Sequence, residues 1–467
     1  MDICCAALSA ALGYQVSFPG QGSYSQTESS YWSIQEAQLA PACVVTPATG
    51  NDVASAVSII AANEGCNFAI KGQGHAPAAG FANIDGGVTI DMSGMNSVSL
   101  SSDQSLASVG AGAAWLNVYE TLDPFNVSVA GGRNGLVGVG GLLVGGGISH
   151  FSPRVGWACD NVVNYELVLG NGVLTNANQT FQSDLYRALK GGANNLGVVT
   201  RFDLSTFPQG NLSVTHTVNS IEEREAMFAA FTDITNATEF DIYTSLVMGL
   251  LYNSTSKSWL FSNSAVYTKP VLHPTVFDEI VSIPSISNSS QLTGLSSLAA
   301  EAPTSPLNWL FATATFDPST ELMLETFDIL NETLSSFNPS CGVVWSIAFE
   351  PLPSVIFSHS RKTGGNILGL GPRDGNAFVL LVAALWPNSS SSATIDQVAQ
   401  DAVFAIKEHA SSRGLLRQFE YLNYAAPYQA PISSYGEENV AFLRRTSERY
   451  DPTKIFQHRV KGGFKIP

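Results

Sequence analysis

Seven histidines occur in the 467 residues, and one of them, His75, stands in the stretch AIKGQGHAPAAG among residues without bulk. Imidazole near neutral pH can act as base, nucleophile or metal ligand, although a lone histidine behind an apolar run is ordinarily a packed core residue. The small neighbours Gly72, Gly74, Ala76 and Gly80 leave space beside this one. Lys71, Gly72, Gln73 and Gly74 also suit an anion, because glycines let successive backbone N–H groups converge and the lysine adds charge. That chemistry points to a phosphorylated cofactor.

A second cluster, AGGRNGLVGVGGLLVGGG at 130–147, has glycine at nine of eighteen positions. Such a backbone loses much entropy on folding and suits a segment that something bulky must approach closely. It does not match the dinucleotide fingerprint, since Gly138 and Gly140 would require glycine where Leu143 stands, and no P-loop lysine follows. No GxSxG elbow or HExxH helix is present, so serine-hydrolase and zinc-protease chemistry have no support.

Several elements must position these groups. ACVVTP reads as a short strand, and TGNDVASAVSIIAANEG places Val53, Ala56, Val57, Ile60 and Ala61 on one face of a helix that stops at Gly65. CNFAIKG and GVTIDMS read as strands. VVNYELVLGNGVLTNA reads as a hairpin in which Asn171 and Gly172 both take positive φ. SDLYRALKGG is expected to be a helix capped by Ser183, followed by the strand LGVVTRFDL. After about residue 209 the texture changes to sequons, serine-rich stretches and longer amphipathic helices. SIEE at 220–223 is a capping box, and Ile395, Val398, Ala399, Ala402, Val403 and Ile406 form an apolar stripe. With strands such as WLFATATF and AFVLLVAALW, this second part is expected to be an α+β domain with helices on one face of its sheet. The domain reading is 1–209, 210–415, and a segment 416–467 that returns to the first domain.

Composition sets limits. The 22 basic and 38 acidic residues give a net charge of -16, which opposes nucleic acid and anionic lipid as partners. The longest apolar run, 377–386, is half of what a membrane span needs. No CxxC pair is present, so zinc spacing is absent and no metal is expected. Cys4 and Cys5 are expected to tie an N-terminal helix to Cys43 and Cys66, with the pairing left open by the sequence. Sequons at Asn126, Asn178, Asn211, Asn236, Asn253, Asn288, Asn331 and Asn388 point to a secreted, extracellular glycoprotein. MDICCAAL lacks the basic flank and apolar length of a signal peptide, so the leader of such a chain is expected to have been removed.

Four blocks in fixed order then meet a family: AIKGQGHAPAAG; GGRNGLVGVGGLLVGGGISHFSPRVGWACDNV; DLYRALKGGANNLGVVTRF; and YLNYA with SYGEENVAFLRRTSERYDPTKIF. They span nearly the whole chain and resemble the berberine bridge enzyme-like FAD-linked oxidases of the vanillyl-alcohol oxidase superfamily, most closely the fungal members. The resemblance implies a two-domain PCMH-type FAD-binding fold whose substrate domain is an antiparallel sheet covered by helices. It implies one covalent link from His75 to the 8α carbon of FAD, with small neighbours making room for the ring. Asn134 stands where many relatives place a second, cysteinyl link. Lys71, Gly72, Gln73, Gly74, Ala76, Gly80, Gly135, Val139, Gly140, Gly141, Gly145 and Gly146 would wrap the cofactor, with Val198 near its adenine side and Tyr421 and Asn423 reaching over the flavin. Val137 falls at the family's oxygen gate, where a small side chain goes with oxidase activity. The implied reaction is hydride transfer from an alcohol or amine carbon of a small molecule, with dioxygen as the second substrate, hydrogen peroxide as product, and Tyr421, His150 or Tyr424 as the base. A monomer acting on a secondary metabolite is expected. Oligosaccharide oxidation, flavin-assisted ring closure and a low-turnover flavin-bearing glycoprotein are the competing readings.

Overall fold

The computed structural model describes residues 3–301, 306–339 and 341–467. Its first half is built on two sheets. In one, Cys43–Val45 and Phe68–Lys71 lie parallel on either side of Val88–Asp91, with Val16–Ser17 added antiparallel at the edge. The helix Gly50–Ala62 makes the crossover. It starts where Thr49 and Asp52 form a reciprocal capping box, and it buries Val53, Ala56, Val57 and Ile60. Cys4–Cys66 and Cys5–Cys43 disulfides fasten the helix Ile3–Leu12 to this sheet, which fixes the pairing left open by the sequence.

The second sheet is antiparallel, in the order Val98–Leu100, Leu106–Gly110, Val198–Ser205, Val162–Val168, Leu174–Asn178. Two local expectations fail here. The hairpin turn takes positive φ only at Gly172, because the Asn171 side chain accepts the Val173 N–H and stabilises an ordinary φ at its own position. Ser183 is the first helical residue of Ser183–Leu189, and the cap position belongs to Gln182, held left-handed at φ 51°.

The large sheet has eight strands, all antiparallel: Ser287–Thr293, Leu212–Ser220, Ser258–Tyr267, Thr244–Asn253, Val344–Leu352, Ala377–Trp386, Asn308–Phe316 and Leu416–Arg417. Strand alternation divides its side chains. Leu310, Ala312, Ala314, Phe316, Trp345, Ile347, Phe349, Phe378, Leu380 and Val382 share a core with the stripes of Arg224–Asn236, Thr320–Ser336 and Ser392–Ser412. The intervening residues, including Trp309, Phe311 and Glu350, therefore point away from those helices. Phe419, Tyr421, Ile432, Tyr435, Leu443, Phe456 and Val460 pack into the core of the first half, so the chain returns there after Arg417.

Candidate active site

His75 follows the strand Phe68–Lys71 and is held by the segment around Trp32. The Trp32 N–H donates to the Gly74 carbonyl at 3.1 Å, and the indole stacks on the imidazole with centroids 4.1 Å apart and planes 15° from parallel. The His75 Nε2 atom is buried without a hydrogen-bond partner among the described residues. Burial holds its pKa down to about 4, so the ring is neutral and its lone pair free at ordinary pH.

The neighbours of His75 are small for more than one reason. Gly74 has φ 67°, and a Cβ there would lie 2.7 Å from the Tyr31 ring, so this glycine admits a tyrosine of the fold itself. Lys71 is 2% exposed and pairs with buried Asp91 at 3.3 Å, so its charge is neutralised inside the protein and does not present itself to a phosphate. Gly72 lies against the Ala111 carbonyl, and the Gln73 amide donates to the carbonyl of Gly112. The Ala76 carbonyl accepts from the Ser33 hydroxyl at 3.3 Å, and Glu36 accepts from the N–H groups of Gly80 and Ala82 at 3.0 and 2.6 Å.

The glycine run holds the helix Val139–Gly145. Gly140 packs under the Ala111 carbonyl, whereas Gly141, like Gly80, faces space that no atom of the described residues fills within 4 Å. At Gly145 a Cβ would collide with Asn423, whose amide donates to the Gly141 carbonyl at 3.1 Å and whose Oδ1 is buried without a partner. Gly146 takes φ 120° beside Leu368, and Gly135 donates to the Ala299 carbonyl. Asn134 turns its side chain onto the N–H of Leu136. Val137 is half-buried against the first core, and Val198 is fully buried at the start of its strand, paired with Val168.

The return of the chain brings YLNY against this region. The Tyr421 hydroxyl accepts from the Ile148 N–H at 2.8 Å, and burial, then Tyr424, pushes its pKa up. Tyr424 lies 4.8 Å from Tyr421 between ring centroids and donates its hydroxyl proton to Glu350 at 2.9 Å, while Arg133 donates to the Tyr424 hydroxyl oxygen at 2.7 Å. Arg133 also reaches both oxygens of Glu350 at 2.8 Å. Burial opposes the guanidinium charge, and the carboxylate outweighs it and keeps Arg133 protonated. His150 sits behind this group, hydrogen-bonded to Ser245 at 2.9 Å, and burial followed by the Arg133 charge lowers its pKa to about 3. His359 packs against Gly156, and its Nε2 has no hydrogen-bond partner among the described residues.

Aromatic contacts join the two groups: His75 to Trp32, Trp32 to Phe311 at 5.6 Å, Phe311 to Tyr424 at 6.0 Å. The sequence reading missed Trp32, Arg133 and Glu350. A charged residue inside a glycine run and a lone carboxylate on the apolar strand SIAFEPL were signals for the last two. Trp32 carried none.

Orphaned polar atoms at His75 and Asn423, with open space at Gly80 and Gly141, fit a flat cofactor with polar edges. The FAD binding domain family matches residues 41–178. The FAD-dependent monooxygenase sdcF of Emericella nidulans is 37% identical over 473 residues, covering 100% of this chain and 98% of the relative. Among solved structures, 6-hydroxy-D-nicotine oxidase from Arthrobacter nicotinovorans superposes with a TM-score of 0.81 at 18% identity, covering 97% of both chains. Berberine bridge enzyme from Eschscholzia californica superposes at 0.78 and 14% identity, covering 99% of both. Fold and sequence together define an FAD-dependent oxidoreductase of PCMH-type architecture. Within that class, the chain belongs to the family of the fungal FAD-dependent monooxygenases it matches, and it shares its fold with the berberine bridge enzyme.

Proposed function

We propose that this protein is a secreted oxidase that removes a hydride from an alcohol or amine carbon of a small organic substrate, a secondary metabolite, with FAD held by one covalent bond to His75. The observation that carries this reading is the pairing of a neutral, unpartnered His75 nitrogen with a buried proton-handling group, Tyr424 and Glu350, linked through Phe311 and Trp32. When bound, FAD supplies a two-electron acceptor that dioxygen regenerates with release of hydrogen peroxide.

The residues of the chain do the rest. His75 anchors the cofactor, Asn423 and the backbone at Gly141 approach it, and Asn134 offers no second attachment. The substrate proton passes to the Tyr424 oxygen as the tyrosine gives its own proton to Glu350, because a phenol whose pKa is pushed up by burial works as a relay and not as a standing base. Arg133 holds the Glu350 carboxylate in place beside the Tyr424 hydroxyl, where it can receive that proton. Tyr421 is less suited to be the base than the resemblance implies, since among the described residues its hydroxyl has no hydrogen bond to a carboxylate that could take its proton, whereas Tyr424 donates to Glu350. His150 stays neutral and faces Ser245. Secretion is supported by the two disulfides and by seven sequon asparagines lying exposed, with Asn178 the half-buried exception.

Incubating the yellow protein with a panel of alcohols, amines and oligosaccharides under ¹⁸O₂ tests the reaction. One hydrogen peroxide per product, with no ¹⁸O in the product, is expected. Label in the product would replace oxidation by the oxygen insertion that the name of the Emericella nidulans relative states. Colour that stays with the acid-precipitated chain, and leaves it in His75→Ala, tests the attachment.

A further inference from the structure

The His75 imidazole hangs from a torsion that is intrinsically broad, so the side chain by itself does not select a ring plane. In this protein a second ring selects it. Trp32 lies parallel to the imidazole at 4.1 Å, and Trp309 stacks on the indole, also at 4.1 Å and 22° from parallel. Three plates therefore run from the cofactor loop to the edge of the large sheet.

The backbone holds the plates in line. Trp32 donates its N–H to Gly74, and the Ser33 hydroxyl donates to Ala76, so the Trp32 segment grips the residues on both sides of His75. On the other side Ser33 forms a parallel bridge with Leu307, Ile34 donates to the Leu307 carbonyl at 2.9 Å, and the Gln35 side chain exchanges two hydrogen bonds with the main chain of Trp309 at 2.7 and 3.1 Å. Trp32 itself is only half-buried, which is less cover than a tryptophan kept for core packing receives in this chain: Trp115, Trp157 and Trp345 are at most 1% exposed.

We propose that Trp32 is a positioning residue for flavin attachment, holding the His75 imidazole face-on, and that Trp309 on the substrate sheet braces the indole from behind. The inference rests on the attachment at His75 proposed above. Attachment forms a bond between an imidazole nitrogen and the 8α carbon; the imidazole N–H proton and one 8α hydrogen leave. The two electrons released go to the flavin and from there to dioxygen. Such a step needs the nitrogen lone pair aimed at a carbon about 3–3.5 Å away, and rotation of the ring about χ2 destroys that aim. An indole stacked on one face removes the rotation while leaving the ring edge, where both nitrogens lie, open to the cofactor. Attachment thereby depends on the large sheet being docked, since the outer plate belongs to it.

The test follows acid-stable flavin against time after FAD is added to full-length chain produced in flavin-depleted cells, with total bound flavin and thermal unfolding recorded in parallel. Trp32→Leu, which keeps bulk and removes the stack, is expected to bind FAD and attach it about tenfold more slowly. Trp32→Phe, which restores an aromatic face, is expected to attach within about twofold of wild type. Trp309→Leu, at the outer plate, is expected to slow attachment about threefold. Attachment by folded Trp32→Leu at the wild-type rate, or Trp32→Phe as slow as Trp32→Leu, would overturn the inference. If Trp32→Leu does not fold, Trp309→Leu decides: slowing supports the stack and a wild-type rate refutes it. A wild-type protein whose flavin is wholly released by acid would overturn the His75 attachment, and with it this inference, which is a different result from a folded variant that attaches normally.

Discussion

Replacing Glu350 by glutamine keeps the shape of the side chain and removes the charge that balances Arg133. The pair joins the glycine run of the first half to the strand Val344–Leu352 of the large sheet, with both carboxylate oxygens at 2.8 Å from the guanidinium and side-chain exposures of 16% for Arg133 and 4% for Glu350. Taking one partner from so enclosed a pair leaves a buried charge without compensation, which costs about 3–5 kcal/mol. Since about 1.4 kcal/mol is tenfold in an equilibrium, local opening should become at least about a hundredfold more frequent. Backbone hydrogen exchange measured by mass spectrometry on peptides covering 131–137 and 344–352 reads that opening directly. Glu350→Gln and Arg133→Gln should each accelerate exchange in both peptides, and peptides of the helices Thr320–Ser336 and Ser392–Ser412 should be unaffected. Glu350→Met combined with Arg133→Met should lose about 2 kcal/mol less than the sum of the two single methionine changes, because the double variant strands no charge. Exchange in Glu350→Gln within threefold of wild type, or a strictly additive double variant, would refute the assignment of this pair as the electrostatic tie between the halves.

Three further outcomes are expected. Burial and Arg133 lower the His150 pKa from its ordinary 6.5 to about 3, so the unfolded chain binds the extra proton; stability should fall as pH drops from 6.5 towards 3, by about 1.4 kcal/mol per pH unit below 6 from this group. Urea titrations at pH 7 and pH 5 should show that loss reduced by about 2 kcal/mol in His150→Gln, which keeps a partner for Ser245; an equal pH dependence in the variant would count against the burial argument. Gly141→Val projects into space free of protein atoms, so the FAD-free chain should melt as wild type while the affinity for FAD, read by fluorescence quenching, drops at least about tenfold; unchanged affinity would place the cofactor elsewhere. Reducing Cys4–Cys66 and Cys5–Cys43, which close loops of 62 and 38 residues, should remove about 4 kcal/mol each by chain entropy, seen as faster proteolysis within residues 3–66, and equal cleavage with and without reductant would refute it.

The sequence by itself determined the local elements and the order of the motifs. The apolar stripe from Val53 to Ile60, the strands around His75, the stripe from Ile395 to Ile406 and the strands Asn308–Phe316 and Ala377–Trp386 follow from rules that act over a few residues, and they stand in the structure as read, whereas the box expected at Ser220 is only a cap, its hydroxyl accepting from the Glu222 N–H. Where a rule depended on which of two neighbouring groups takes a hydrogen bond, as at Asn171 and Ser183, it failed. The motif blocks also pointed to FAD, because the same short stretches must approach the same cofactor.

Tertiary structure alone decided which charges are free and which are already committed. Lys71 looks from the sequence like a phosphate ligand and is a buried partner of Asp91; Gly74 looks like space for a cofactor and is space for Tyr31. Tyr424 gained its carboxylate and guanidinium partners only when the fold set it beside Glu350, 74 positions away in the chain, and Arg133, 291 away. Trp32 stacks on His75 and Trp309 only because the fold brings the three together. Periodicity and composition act along the chain, whereas the pKa of a carboxylate or the plane of an imidazole is set by atoms a few ångströms away through space, whose sequence distance carries no information.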